Sequence, residues 1–245
     1  MNPPPVSDAP FCSVRPQNIN KDRSTRLRAA VLGANDGLVS NLCLVMGVAG
    51  ANAEHSTILL TGFAGLLSGA CSMALGEWIS VSNAREMNAK QVLQERKRLV
   101  DCPGSETQEL EQMLQNNGLP AEQAKQMSIW MMAHTDAALA ALARERWGID
   151  PKELGGNPWI AAITSFLLFS CGALVPILPF TWLDGLASIS VGVIFSLLAL
   201  MLTGVLTARV TGRGPLFSAL RQVTVGTVAA SFTYGLGILL GISLS

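Results

Sequence analysis

Charge is scarce in this chain: 14% of its 245 residues are Asp, Glu, Lys or Arg, against 49% that are hydrophobic. Tyrosine occurs once, and the two histidines, His55 and His134, stand alone. The five cysteines (Cys12, Cys43, Cys71, Cys102 and Cys171) form no Cys-x-x-Cys, and no Glu-x-x-His pair falls on a helical stretch. A structural zinc site and a ferritin-type di-iron centre are therefore unsupported. Scattered cysteines, some on the reducing side, argue against disulfides, and Cys43, Cys71 and Cys171 read as small apolar packing residues. Zero formal net charge and the lack of a mixed basic–aromatic patch exclude a nucleic-acid partner. With no nucleophile–base pair and no phosphate-binding loop, the chain does not read as an enzyme, and no cofactor is implied. There is no strand signal and no clear internal repeat. The Pro-rich start (Pro3, Pro4, Pro5, Pro10, Pro16) lacks an apolar core and a cleavage site, so residues 1–26 read as a disordered cytoplasmic arm.

What the chain has instead is apolar length. Five stretches, Arg28–Ala51, Thr57–Val81, Pro158–Phe180, Leu183–Ala208 and Val223–Ser245, each match the ~20 residues that a bilayer's hydrocarbon core requires. The 23 glycines suit close helix packing in lipid. The 17 basic residues sort by connector. Five (Arg15, Lys21, Arg23, Arg26, Arg28) precede or open the first stretch, nine run from Arg85 to Lys152, and three (Arg209, Arg213, Arg221) lie between the fourth and fifth stretches. The other two connectors hold only Glu54, His55 and Asp184 as possible charges. Positive connectors stay in the cytoplasm, which places the N-terminus inside and the C-terminus outside. The expected architecture is all-α and polytopic: transmembrane helices one and two over 27–84, a cytoplasmic helical lobe over 85–157, and transmembrane helices three to five over 158–245.

The lobe has internal punctuation. No Gly or Pro occurs from Trp78 through Val100, so span two should continue as one long helix until Asp101-Cys102-Pro103-Gly104 stops it. Ser105 with Gln108 predicts a short capped helix ended by Asn117-Gly118. Pro120 suits the first turn of a helix to Trp147, with a break near His134, closed by Gly148 and Asp150-Pro151. Pro176 and Pro179 should kink or end span three near the outer surface, with Trp182 as an interfacial anchor. Gly33-x-x-x-Gly37 and Gly65-x-x-x-Gly69 fit tight helix packing, with a dimer face as the alternative.

Two carboxylates interrupt the apolar spans. Asp36 lies eight residues beyond Arg28, and Glu77 eight residues before Arg85. Because the two spans run antiparallel, both should sit ~12 Å in from the cytoplasmic basic residues. A carboxylate at membrane depth costs several kcal/mol and faces a pathway or a partner. No Lys, Arg or His in the apolar segments can neutralise this pair, so a cation or a proton must. The competing reading has both protonated and hydrogen-bonded to Asn35 or serine hydroxyls. Met73 lies one helical turn from Glu77; a thioether beside carboxylates favours a softer transition metal, although a methionine in a membrane helix also serves as apolar filler. In the lobe, Glu95, Glu106, Glu109, Glu111, Glu145 and Glu153 form a second carboxylate set that spacing alone would leave as solvated surface.

The segments from Arg28 to Ser40 (RAAVLGANDGLVS) and from Ser72 to Ser82 (SMALGEWISVS) resemble the signatures of spans one and two of the vacuolar iron transporter family, which includes nodulin-21-like and bacterial members. Gly148-Ile-Asp-Pro, Asn157-Pro-Trp and Gly172-Ala-Leu-Val-Pro-Ile-Leu-Pro179 support the resemblance, which covers nearly everything after Arg26. It implies a homodimer with five spans per subunit and a path lined by spans one and two. It also implies proton-driven export of ferrous iron, and often manganese, from the cytoplasm. The family's path residues fall on Asp36, Met73 and Glu77. Its metal-binding glutamates in the lobe fall on Glu95, Glu106 and Glu109. Where two further glutamates are expected the chain has Arg98 and Arg146, with Glu145 beside the latter, and Met131-Met132 offers either soft ligands or core packing. An arginine in a cation site repels the ligand, so a regulatory or structural membrane dimer with a degenerate metal-sensing lobe stands as the alternative to a transporter. The expected location is a bacterial inner membrane, or a vacuolar membrane if the source is eukaryotic.

Overall fold

The computed structural model describes residues 18–244; the side chains of residues 18–30, 210 and 242–244 are outside that description. Residues 1–17 of the expected N-terminal arm lie outside the described residues, 18–26 are helical where a disordered arm was expected, and the side chains of the five basic residues that precede or open span one are not described. Eight α-helices account for the described chain: α1 (Asn18–Gly50), α2 (His55–Asp101), α3 (Pro103–Asn116), α4 (Ala121–Ala133), α5 (Thr135–Trp147), α6 (Pro158–Ile177), α7 (Gly185–Thr211) and α8 (Pro215–Leu244). A 3-10 turn, Leu178–Thr181, follows α6. No strand forms among the described residues; Asp150 and Glu153 make one isolated bridge.

Five of these helices are long and apolar enough to cross a membrane: the Val31–Gly50 part of α1, then α2, α6 with its 3-10 turn, α7 and α8. The chain divides into two compact units, one of residues 1–66 with 168–245 and one of Leu67–Leu167. The second is larger than the polar insert, because it takes in the parts of α2 and α6 that flank it.

In the first unit α1 packs against α7 and α8, and α7 against α8. Leu38, Leu42 and Val45, at i, i+4 and i+7, are almost completely buried and mark the inward stripe of α1. Backbone approach sets this packing. A Cβ on Gly37 would overlap the carbonyl of Phe169, and one on Gly172 would overlap the carbonyl of Ala34, so α1 and α6 touch through reciprocal glycines. Gly50 and Gly237 play the same part between α1 and α8, against Tyr234 and Gly47. Gly37 therefore serves packing within the protomer, as tight small-residue spacing suggests. Buried Asn41 donates from Nδ2 to the carbonyl of Ala173 at 2.7 Å, tying α1 to α6. At one end of this unit His55 Nε2 lies 3.5 Å from Asp184 Oδ1, which brings together the two connectors that lack basic residues.

Helix α2 runs without interruption for 47 residues, ~70 Å at 1.5 Å per residue and over twice the hydrocarbon thickness; its part from Leu67 on belongs to the second unit. Arg85 and Asn88 brace it by donating to the carbonyls of Gly156 (3.2 Å) and Leu154 (2.8 Å). Trp78 meets the edge of Trp159 at 5.8 Å. The lobe's core is Leu99, Leu110, Ala138, Leu139 and Leu142, with Met113, Met131 and Met132 packed against it. Met131 and Met132 are thus half-buried and pack against this core.

Several boundaries differ from the sequence reading. Helix α3 begins at Pro103 with Cys102 as N-cap, two residues before Ser105, and no side chain caps it; proline at N1 supplies the start that a capping box would have given. Pro120 is the N-cap of α4 and lies just outside the helix. The break at His134 separates α4 from α5, and Gly148 takes the left-handed φ of +66° that ends α5. Helix α8 starts at Pro215, eight residues before Val223, because hydropathy marks the apolar part of a helix and not its polar first turns.

Candidate functional site

Asp36 stands on α1 with its side chain exposed. Ser40 Oγ donates to the backbone carbonyl of Asp36 at 2.6 Å, but among the described residues the carboxylate itself has no hydrogen-bond or ion-pair partner. Asn35 does not serve it: Asn35 Oδ1 accepts from Thr203 Oγ1 of α7 at 3.4 Å. The protonated, hydrogen-bonded alternative for Asp36 therefore finds no partner among the described residues. In the second unit Met73 and Glu77 are both half-buried, one turn apart on a single face of α2. The Glu77 carboxylate likewise has no partner among the described residues.

The lobe carboxylates present the opposite case. Glu95 on α2 and Glu106 on α3 are each 1% exposed, and Glu109 lies one turn beyond Glu106. All three converge on one guanidinium, that of Arg146 on α5. Arg146 Nε donates to Glu109 Oε1 at 2.7 Å and Nη2 donates to Glu106 Oε2 at 2.6 Å. Nη1 donates to Glu95 Oε1, and Nη2 also donates to Glu109 Oε2 in a bidentate fork. Arg98 Nε approaches the other oxygen of Glu106 at 3.5 Å. The Arg146 hydrogen bonds hold the Glu109 carboxyl below the usual carboxylate range, and the same bonds push the arginine above its own. Leaving a buried charge without its partner costs about 3–5 kcal/mol, which explains why two carboxylates this deep require the cation. Glu145, the fourth candidate, is exposed and outside the cluster; Glu111, half-buried, is also outside it and pairs with Gln115 on its own helix.

A metal ion fits this cluster poorly. The Arg146 guanidinium occupies its middle and takes up its oxygens, and no group of three or more His, Cys, Asp or Glu among the described residues is placed to hold a metal. Sequence reasoning identified Arg146 as out of character but not as the hub. The missed signal is that one arginine projects from α5 toward carboxylates on two other helices, a tertiary fact. Asn41 was also missed, because a lone Asn in an apolar stretch carries no spacing signature.

Five apolar helices with unpartnered carboxylates set inside two of them define a multi-pass, all-helical membrane protein. A family profile, that of the VIT family, matches residues 27–238, and this chain belongs to that family. Vacuolar iron transporter homolog 4 of Arabidopsis thaliana is 34% identical over 222 residues, covering 89% of this chain and 86% of the relative. Vacuolar iron transporter of Acanthamoeba castellanii is 33% identical over 215 residues, 87% of this chain and 78% of its own. Vacuolar iron transporter 1 of Oryza sativa subsp. japonica is 28% identical over 216 residues, 86% of this chain and 83% of its own. The resemblance carried by the segments around Asp36 and Glu77 extends over most of the chain.

Proposed function

We propose that this protein is a metal transporter that carries ferrous iron, and manganese with it, out of the cytoplasm in exchange for protons. The observation that carries the reading is Asp36: an exposed carboxylate without a partner among the described residues, inside an apolar stretch of a VIT-family chain. At membrane depth such a group faces a pathway or another subunit. A homodimer that covers Asp36 with a second copy of the chain supplies both.

In this reading Asp36 and Glu77 replace water around the ion and exchange it for protons, and Met73 favours softer ions through its sulfur. Metal requires the deprotonated carboxylates, so protons arriving from the outer or luminal side displace it there. The basic connectors put the N-terminus and the lobe in the cytoplasm, and the membrane is a bacterial inner membrane or a vacuolar one. Of the four lobe carboxylates, Glu95, Glu106 and Glu109 are engaged by Arg146, which leaves Glu145, and one carboxylate does not make a metal site. Transport therefore rests on the membrane residues.

The alternative, a regulatory or structural membrane dimer, draws on Arg98 and Arg146 in the lobe. Ferrous iron uptake into proteoliposomes, with and without a pH gradient, separates the two. The transporter reading expects uptake that a gradient acidic inside the vesicle accelerates for inside-out protein. Uptake no faster than in empty vesicles would leave the regulatory reading standing.

A further inference from the structure

Three glutamates on two helices meet one arginine on a third. Two of those glutamates are shut off from solvent, and Arg146 itself is only 13% exposed. Four hydrogen bonds from three nitrogens use both oxygens of Glu109 and one each of Glu95 and Glu106. Without a cation here the three carboxylates would repel one another, forcing α2 and α3 apart and removing the tie from α5 to both. The cation that prevents this belongs to the chain itself.

We propose that Arg146 is a tethered substitute for a divalent ion: it assembles the lobe, so that the lobe closes without metal and does not report on cytoplasmic metal. Arg98 is a secondary contributor, because it reaches only Glu106, at 3.5 Å, and is itself more than half exposed. The decisive position is therefore 146. Removing its side chain leaves three carboxylates around an empty volume, and a small divalent cation then becomes the species that can restore closure, since it takes oxygen ligands in number.

The test is limited trypsin cleavage of the full-length protein in detergent, followed at the lobe's Lys97, Lys125 and Lys152, in EDTA and in millimolar manganese. Cleavage of a folded segment tracks the population of its open form, so this readout needs no transport and is independent of the function proposed above. For the wild-type protein the cleavage rate should be the same in both conditions. Arg146→Ala should be cut faster in EDTA, by roughly tenfold or more given the loss of a buried partner, and manganese should restore most of the protection. Arg146→Lys, which keeps the charge and loses the fork, should fall between wild type and Arg146→Ala without a response to manganese. Manganese protection of the wild-type lobe would overturn the proposal, as would an Arg146→Ala lobe that resists trypsin in EDTA. An Arg146→Ala lobe that is cut rapidly and gains nothing from manganese would overturn the equivalence of guanidinium and metal.

Discussion

Asp36 and Glu106 are both carboxylates on helices, and their surroundings set them opposite tasks. Glu106 is 1% exposed and bound by Arg146, so its charge is spent on holding helices together. Asp36 is exposed within the apolar Val31–Gly50 stretch, and none of the described residues pairs with its carboxylate, which is why the proposed path runs past it. Both were legible as candidates from sequence, Asp36 because hydropathy isolates it and Glu106 through the family resemblance. Their different fates were not, because burial and the reach of Arg146 across 40 residues of sequence are tertiary. At this scale Met73 offers a clean substitution. Met73→Leu keeps volume and apolarity and should cost less than about 1.5 kcal/mol of stability, while lowering the ratio of iron to manganese transport because the sulfur is lost. Competition uptake with both ions checks this, and an unchanged ratio would return Met73 to apolar filler.

Among the helices, the sequence pattern served best where composition changes sharply. The long continuation of α2 followed from the absence of breakers between Trp78 and Val100, and its end at Asp101 falls where the Pro-Gly pair predicts. The breaks at Asn117, His134 and Gly148 were visible for the same reason. Starts were harder. Helices α3 and α8 both begin at prolines, and a proline reads as a stop unless its place at N1 is known. Which face of each apolar helix turns inward was also hidden, since a helix apolar all round carries no stripe, and glycine contacts settle it instead. Gly172→Leu should therefore destabilise the protein by about 1–3 kcal/mol or more, because its side chain would strike the α1 backbone at Ala34. Gly235→Ala is the control: a Cβ there meets nothing within 4 Å, so its melting temperature should match or exceed the wild-type value. Equal melting temperatures for Gly172→Leu and wild type in detergent would mean that the α1–α6 contact is looser than the backbone approach implies.

At the level of the molecule, the five apolar helices and the family assignment support a membrane carrier of metal, and the lobe's ion pairs argue that its fold does not depend on that metal. The two statements meet in the division of labour proposed above: ion handling is assigned to Asp36, Met73 and Glu77, whereas Glu95, Glu106 and Glu109 are engaged by Arg146. The measurement that reaches the first of these most directly is ferrous iron uptake by proteoliposomes carrying Asp36→Asn, beside wild type reconstituted at the same density. An amide matches the carboxylate in shape but cannot offset the charge of a desolvated divalent ion. Uptake should fall to the level of empty vesicles while the size-exclusion profile of the protein stays unchanged; near-wild-type uptake by Asp36→Asn would contradict a cation path through this residue.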